Sequence, residues 1–246
     1  MTDLPPLLPN AWSDEFDVAV LSGAWTELDQ GNSVLITPTA YGLESTLNGT
    51  NGNLQLLYRA KPTSSTEYTI VSKITCMTSG AAAENSWIEI GIGVTEDVVG
   101  APTTASIGYI SIRYNTGAAV DQIGIIAQQW QDWDTYTGNL GATINAGSAV
   151  SSNTQDPSIS KTIYLRLRKN GAVYGFDWSM DGRDWLNIYT GAVSQVTTND
   201  THIAIVFRGS GTVGSGRNHV QWFRVLDGVS DFYQAPIGRR FTYLAP

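Results

Sequence analysis

The chain has 246 residues, enough for one large β domain or two small ones with a substantial buried core. Hydrophobic residues make up 42% and charged residues 15%, which excludes intrinsic disorder, and 25 glycines point to many turns. Net charge is −8 (14 basic less 22 acidic residues), which disfavours nucleic acid and anionic membrane surfaces as partners.

Residues 1–12, MTDLPPLLPNAW, carry no basic n-region and no long apolar run, so they do not read as a signal peptide. Pro5, Pro6 and Pro9 keep the segment extended, and Leu4, Leu7 and Leu8 make it an arm suited to docking on this subunit or a neighbour. Nowhere does an apolar run approach the roughly 18 residues of a membrane span, so no membrane insertion is expected. Cys76 is the one cysteine, which rules out an internal disulfide and fits assembly in a reducing compartment.

Asp14-Glu15-Phe16-Asp17 followed by Gly23-Ala24-Trp25 reads as an opening turn leading into a strand. Further strands are expected around Val34–Ile36 and Leu54–Ala60, with Asn48-Gly49 and Asn51-Gly52 as turns between them. In Tyr68–Cys76, Trp87–Val94, Ile107–Tyr114 and Gln122–Trp130 apolar residues alternate with polar ones or glycine, the period-2 pattern of half-buried strands. Ile123, Ile125 and Ile126 are expected in the core. Gln131–Ser160 is rich in Gly, Ser, Thr and Asn and reads as a long surface excursion with one short strand.

Tyr164–Ile188 is the clearest stretch: three strand-like runs joined by two tight turns, an antiparallel meander. Asn170-Gly171 is expected at the centre of a type I′ turn, where both residues need positive φ. Met180-Asp181-Gly182-Arg183 is expected to form the second turn. Leu165, Leu167 and Trp185 are placed inward, with Trp178 and Trp185 bracing the hairpin. His202–Arg208 and His219–Leu226 supply two more strands. Gly228–Pro246 leaves the pattern and carries Phe232, Tyr233, Phe241 and Tyr243, which reads as a second arm.

Roughly twelve short strands at this spacing, with no helix, describe an all-β sandwich. One domain is expected over residues 13–227, between an N-terminal Pro-rich arm at 1–12 and a C-terminal arm at 228–246.

The segment order resembles the concanavalin A-like, laminin-G-like jelly-roll superfamily. The residues carrying the resemblance are Asp14–Asp17 with Gly23–Trp25, Tyr68-Thr69-Ile70, Trp87–Ile92, Tyr164–Arg168, Trp178-Ser179-Met180-Asp181-Gly182-x-x-Trp185 and Val220–Phe223. It implies two curved antiparallel sheets packed face to face in a two-sheet antiparallel jelly-roll β-sandwich (concanavalin A-like). Members include lectin-like modules, glycosidases and domains of phage particles. With arms at both ends, the chain is similar to phage virion proteins. The resulting expectation is a non-catalytic virion component (capsid decoration, fibre or tail protein), assembled in the host cytoplasm. Its expected partners are capsid or tail subunits, further copies of itself and a host-surface glycan. A free carbohydrate-binding module and a divergent glycosidase are the alternatives.

Glucanases of that superfamily place carboxylates on alternate residues of one strand. The comparable strand here is Trp87–Gly93, in which Glu89 faces glycines at 91 and 93, so no catalytic residue is assigned. Asp14, Glu15 and Asp17 suit a cap or a cation better than catalysis. Trp130, Asp132, Trp133, Asp134 and Tyr136 interleave aromatic rings with carboxylates; this composition suits a glycan, against the more ordinary reading that the tryptophans pack in the core, on the sheet edge or on another subunit. Strand phase places Tyr164, Arg166, Arg168, Arg208, Trp222 and Arg224, together with Arg113 and His202, on outer sheet faces. There the arginines would meet acidic glycans, partner carboxylates or crossing loops. No cofactor is expected. Asp227–Asp231 gives only a faint calcium signal, with no ordered Asp-x-Asp-x-Asn loop.

Overall fold

The computed structural model describes residues 12–17, 21–28, 35–39, 42–47, 54–62, 66–77, 87–96, 107–116, 121–131, 135–141, 144–145, 160–196, 200–210 and 216–227. Apart from Trp12, both proposed arms, with Leu4, Leu7, Leu8, Phe232, Tyr233, Phe241 and Tyr243, lie outside the described residues.

In chain order the strands are β1 (Thr26–Leu28), β2 (Leu35–Thr39), β3 (Gly42–Leu47), β4 (Gln55–Ala60), β5 (Glu67–Met77), β6 (Trp87–Thr95), β7 (Ile107–Thr116) and β8 (Asp121–Trp130). They continue with β9 (Tyr136–Asn139), β10 (Ile144–Asn145), β11 (Ser160–Asn170), β12 (Val173–Ser179), β13 (Leu186–Ala192), β14 (His202–Ser210) and β15 (Gly216–Asp227). One short 3-10 turn, Val193–Gln195, follows β13. No helix among the described residues is long and apolar enough to cross a membrane. The strands exceed the expected twelve mainly through short ones that lack a full alternating pattern: β1, β9 and β10.

The strands form two antiparallel sheets, and the jelly-roll sandwich implied by the segment order is the fold observed. One sheet runs β1-β4-β14-β6-β7-β8-β10, with β9 also pairing with β8; the other runs β13-β12-β11-β5-β15-β3-β2. Inward residues of the first sheet, among them Ile88, Ile90, Ile92, Ile110, Ile112, Ile203, Ile205 and Phe207, meet those of the second, among them Ile70, Ile74, Leu165, Leu167, Phe176, Phe223 and Val225. All are buried, and this apolar burial is the main stabilising term of the fold.

The opening Asp14-Glu15-Phe16 segment seals one edge of this core. Phe16 takes a left-handed conformation (φ 49°), Asp14 pairs with Phe223 through the backbone, and Asp14 Oδ2 accepts the Trp25 indole N–H at 2.8 Å. Phe16, Trp25 and Phe223 then pack ring against ring inside. Glu15 turns outward and binds Arg224 in bidentate fashion at 2.7 and 3.0 Å. These carboxylates cap and brace, as their place in a turn suggested.

The meander is present, with its first turn displaced by one residue. Asn170 pairs with Val173, so the loop residues are Gly171 and Ala172. Only Gly171 has positive φ (55°), which matches the type II′ requirement for glycine at the first central position, not the two positive φ values of type I′. The second turn is longer than four residues, because Trp178 pairs with Leu186 across it. Asp181 Oδ1 accepts the backbone N–H of Arg183 and Asp184, and Ser179 Oγ accepts that of Gly182. Trp178 belongs to the core. Trp185 does not: it is half-buried on the outer face, with the Arg166 guanidinium 4.2 Å above its ring.

Candidate functional site

The site lies on the outer face of the eight-stranded sheet, and strand register assembles it. On β14, β6 and β7 the residues Arg208, Glu89 and Arg113 stand directly opposite one another, forming a plus–minus–plus row across three adjacent strands. One register step along, Gly91 faces Ser111; two steps along, Gly93 faces Tyr109, which in turn faces Gln128 on β8. The glycines have a purpose here. A Cβ on Gly91 would meet the Ile110 carbonyl at 2.2 Å and the Ser111 side chain at 2.8 Å, displacing the hydroxyl that bonds Glu89.

Glu89 is fully buried. Its Oε2 accepts Arg113 Nε at 3.0 Å and Arg113 Nη2 at 2.7 Å, and Arg208 Nη1 lies 3.7 Å away. Its Oε1 accepts the Ser111 hydroxyl in a short bond. Burial alone would raise the Glu89 pKa; the charges of Arg113 and Arg208, with the hydrogen bonds from Ser111 and Arg113, outweigh it and hold the carboxyl below its ordinary range. Arg113 lies over the Trp87 ring at 4.8 Å; Arg208 lies over Trp87 at 4.4 Å and over Trp130 at 4.1 Å.

Gln128 is the hub of the uncharged half. Its Oε1 accepts the Tyr109 hydroxyl at 2.6 Å and lies 3.4 Å from Arg208 Nη1, 3.5 Å from Arg113 Nη2 and 3.5 Å from the Trp130 indole N–H. Its Nε2 donates to Asn139 Oδ1 at 3.2 Å, which also accepts the Tyr136 hydroxyl at 2.8 Å. Burial first, and then the Glu89 charge, push the Tyr109 phenol well above its ordinary value, so it stays a donor.

These groups border an open cleft of about 320 Å³ lined by Trp87, Arg113, Ile126, Gln128, Tyr136, Asn139 and Arg208. Tyr136, 47% exposed, is its most accessible ring. Trp130 meets Tyr136 edge to face at 5.5 Å and is itself only 2% exposed. Trp130 therefore backs the tyrosine and is closed to a ligand. It packs with Leu54, Leu56, Tyr58, Ile107, Tyr109, Ala204 and Val206 in a second apolar cluster on this outer face. Ile126, expected in the core between the sheets, belongs to this face too.

Of the residues marked as glycan candidates, Tyr136 lines the cleft and Trp130 supports it. Asp132, Trp133 and Asp134 lie outside the described residues. The outer-face candidates divide between opposite surfaces. Arg208 is in the cleft, while Tyr164, Arg166, Arg168, Trp222 and Arg224 share the outer face of the seven-stranded sheet. On that face Arg166 and Arg168 point away from the core as their phase required, yet both are 6% exposed. Asp177, opposite Arg166 on β12, takes them both: Arg166 Nε at 3.0 Å, Arg168 Nε at 2.5 Å and Arg168 Nη2 at 2.8 Å. Both bind the carboxylate of a neighbouring strand. Tyr164 and Trp222 are half-buried 6.1 Å apart, with Lys73 over the first and Arg224 over the second.

The pattern missed by sequence reading is the joining of Glu89, Arg113, Arg208, Gln128, Tyr109 and Asn139. Each sits at a polar position of an alternating strand, but which of them meet depends on strand order. Among the described residues no group of three or more His, Cys, Asp or Glu is placed to hold a metal ion.

No protein-family model matches the sequence. No curated protein is similar enough in sequence to count as a relative. Solved structures do share the fold. The catalytic domain of an endo-1,3-beta-glucanase (laminarinase) from Thermotoga petrophila matches with a TM-score of 0.56 at 9% identity, over 90% of this chain and 100% of that one. The VIP36 exoplasmic/lumenal domain in its Ca2+-bound form matches at 0.53 and 10% identity, over 89% and 91%. A xylan beta-1,4-xylosidase from Bacillus halodurans matches at 0.54 and 15% identity, over 92% of this chain and 41% of that one. The chain thus spans about two fifths of the xylosidase and of the GH43 proteins it resembles. At these identities the likeness establishes the two-sheet jelly-roll fold.

Proposed function

We propose that this chain is a non-catalytic glycan-binding β-sandwich, with the ligand seated in the cleft on the outer face of the eight-stranded sheet. The observation that carries the reading is the half-exposed Tyr136 ring standing beside Arg113 and Asn139 at the mouth of that cleft. A sugar ring stacks its C–H face on an aromatic plane while nearby polar groups fix its hydroxyls, and a small set of convergent polar groups in a partly apolar hollow is the usual form of such a site. The activities named for two structural neighbours, on 1,3-beta-glucan and on xylan, accord with a saccharide ligand for this fold.

The same geometry speaks against hydrolysis by Glu89. Retaining glycosidases need two carboxyls about 5–5.5 Å apart, one of them with a raised pKa. Glu89 is buried, its pKa is lowered, and the groups flanking it on both neighbouring strands are arginines. A carboxylate held in this way neither donates a proton nor attacks a sugar.

A glycan array with the full chain tests the reading. Binding that is lost in Tyr136→Ala, with folding intact, is the expected result; no binding to any saccharide at millimolar concentration would sink it. If hydrolysis of a glycan is found and Glu89→Gln leaves it unchanged, Glu89 has no part in it. The wider setting, display on a phage particle, rests on the two arms. Deleting residues 1–12 and 229–246 and measuring incorporation into particles tests that setting separately.

A further inference from the structure

We infer that the saccharide this cleft takes is an acidic one, whose carboxylate or sulfate is held by Arg113 and Asn139. This rests on the glycan-binding reading and narrows its ligand class.

The direction of every hydrogen bond in the site follows from residues that can only donate. Arginine has no acceptor, so the guanidiniums of Arg113 and Arg208 fix Gln128 Oε1 as the oxygen facing them. Gln128 Nε2 must then be the atom facing Asn139, and the Asn139 atom it meets must be an acceptor. The Tyr136 hydroxyl donates to that same oxygen. Asn139 Nδ2 is consequently left with no partner among the described residues. Arg113 spends Nε and Nη2 on Glu89 and Gln128, which leaves Nη1 without a partner among the described residues.

The acceptors are in the opposite condition. Glu89 is buried and engaged at both oxygens; Gln128 Oε1 has a 2.6 Å bond and three longer contacts; Asn139 Oδ1 accepts two hydrogen bonds. Among the described side chains the cleft offers donors, its carboxylate and amide acceptors are occupied, and the Tyr136 hydroxyl oxygen is the acceptor that remains. A neutral sugar presents hydroxyls that both give and take, and it would find little here to give to. A carboxylate or sulfate only accepts. Charge agrees: the described residues of the site hold two guanidiniums against one carboxylate, a local excess of +1 on a chain whose net charge is −8. Arg113 has a side-chain exposure of 23%, and Asn139 is exposed, so both are reachable from solvent. A charge-assisted bond from Arg113 beside the Tyr136 ring would fix both the acidic group and the ring that carries it.

The test is an array of matched pairs, in which neutral oligosaccharides sit beside their uronic-acid, sialylated and sulfated counterparts, followed by titration of the best pair. The expected result is at least tenfold tighter binding of one acidic member than of its neutral partner. The three acidic arms identify whether carboxylate or sulfate is read. Asn139→Asp replaces an exposed donor with a like charge and is expected to abolish that preference while leaving the melting temperature unchanged. Equal binding of neutral and acidic partners overturns the acidic assignment and leaves the glycan reading standing. Undiminished preference in Asn139→Asp overturns the assignment to this cleft. Absence of binding to every saccharide overturns both.

Discussion

Arg113 closes on Glu89 through two bonds to one oxygen, Nε at 3.0 Å and Nη2 at 2.7 Å, from the position directly opposite on the neighbouring strand. With Arg208 opposite on the other side, one buried carboxylate separates two cations that would otherwise repel. Glu89→Gln keeps the shape and removes the charge. We expect a loss of about 2–3 kcal/mol, somewhat below the roughly 3–5 kcal/mol of a fully buried pair, because Arg113 reaches water. Urea unfolding followed by tryptophan fluorescence reads it; a change within about 0.5 kcal/mol would mean that solvent already neutralises the row.

Asp177 has the same task on the opposite face, with both partners more deeply buried. Asp177→Ala removes the carboxylate that Arg166 and Arg168 share and also an acceptor from Asn187 Nδ2. A loss of about 3–5 kcal/mol is expected in the same unfolding measurement, and glycan binding by the folded fraction should not change.

Tyr136→Ala should behave in the opposite way. The ring is half-exposed and outside the core, so stability is expected to stay within about 0.5 kcal/mol. Affinity for the array-identified saccharide should fall about tenfold, equivalent to about 1.4 kcal/mol. Calorimetry on the two proteins separates the outcomes, and equal affinities would remove the ring from the site.

The first turn residue of the β11–β12 hairpin and the strand residue before it differ in what they require. Gly171→Ala places a Cβ at φ 55° and is expected to cost about 1 kcal/mol. Asn170→Ala, at the last position of β11, should cost less. The reverse order, measured by thermal unfolding, would restore the turn register expected from the Asn-Gly pair.

Acid and alkali should both weaken the fold, for separate reasons. Glu89 and Asp200 have lowered pKa values: burial opposes this in both, but Arg113 and Arg208 outweigh it at Glu89, and hydrogen bonds from Lys169 and Tyr174 outweigh it at Asp200. A depressed folded pKa stabilises fully above the unfolded value and is lost as pH falls through the folded one, so stability should decline below about pH 4. Tyr68, Tyr109 and Tyr174 are raised, burial being the first cause in each. A raised folded pKa stabilises fully below the unfolded value, so this part is lost as pH climbs above about 10. Urea midpoints across that range check both limbs; a midpoint that rises on acidification would contradict the first.

Much of the architecture was legible along the chain. Ile88, Ile90, Ile92 and Val94 alternate with Trp87, Glu89, Gly91 and Gly93, and a period of two assigns each residue to a face without reference to any other strand. The all-β sandwich, the inward side of β11 and the capping role of Asp14 follow from such local signals, and the jelly roll was implied by the resemblance in segment order. The turn at Gly171 was misplaced because neighbouring positions can each supply a hairpin's glycine, and register across the strands chooses between them. Trp185 was misplaced because a tryptophan at a strand's start suits either the core or a cation on the outer face.

The cleft was legible only as scattered polar positions. Arg113 and Arg208 are 95 residues apart in sequence (208 less 113), and they share Glu89 because β6 lies between β14 and β7. Strand order of that kind is a property of how the sheets close, and no alternation pattern encodes it. Local periodicity told which way Arg113 and Arg166 point. The sheet then gave each a carboxylate, Glu89 for one and Asp177 for the other, and left Arg113 alone in reach of a cleft. The reason is physical: an ion pair needs its partner within a few ångströms, and distances across strands come from the folded sheet, not from spacing along the chain.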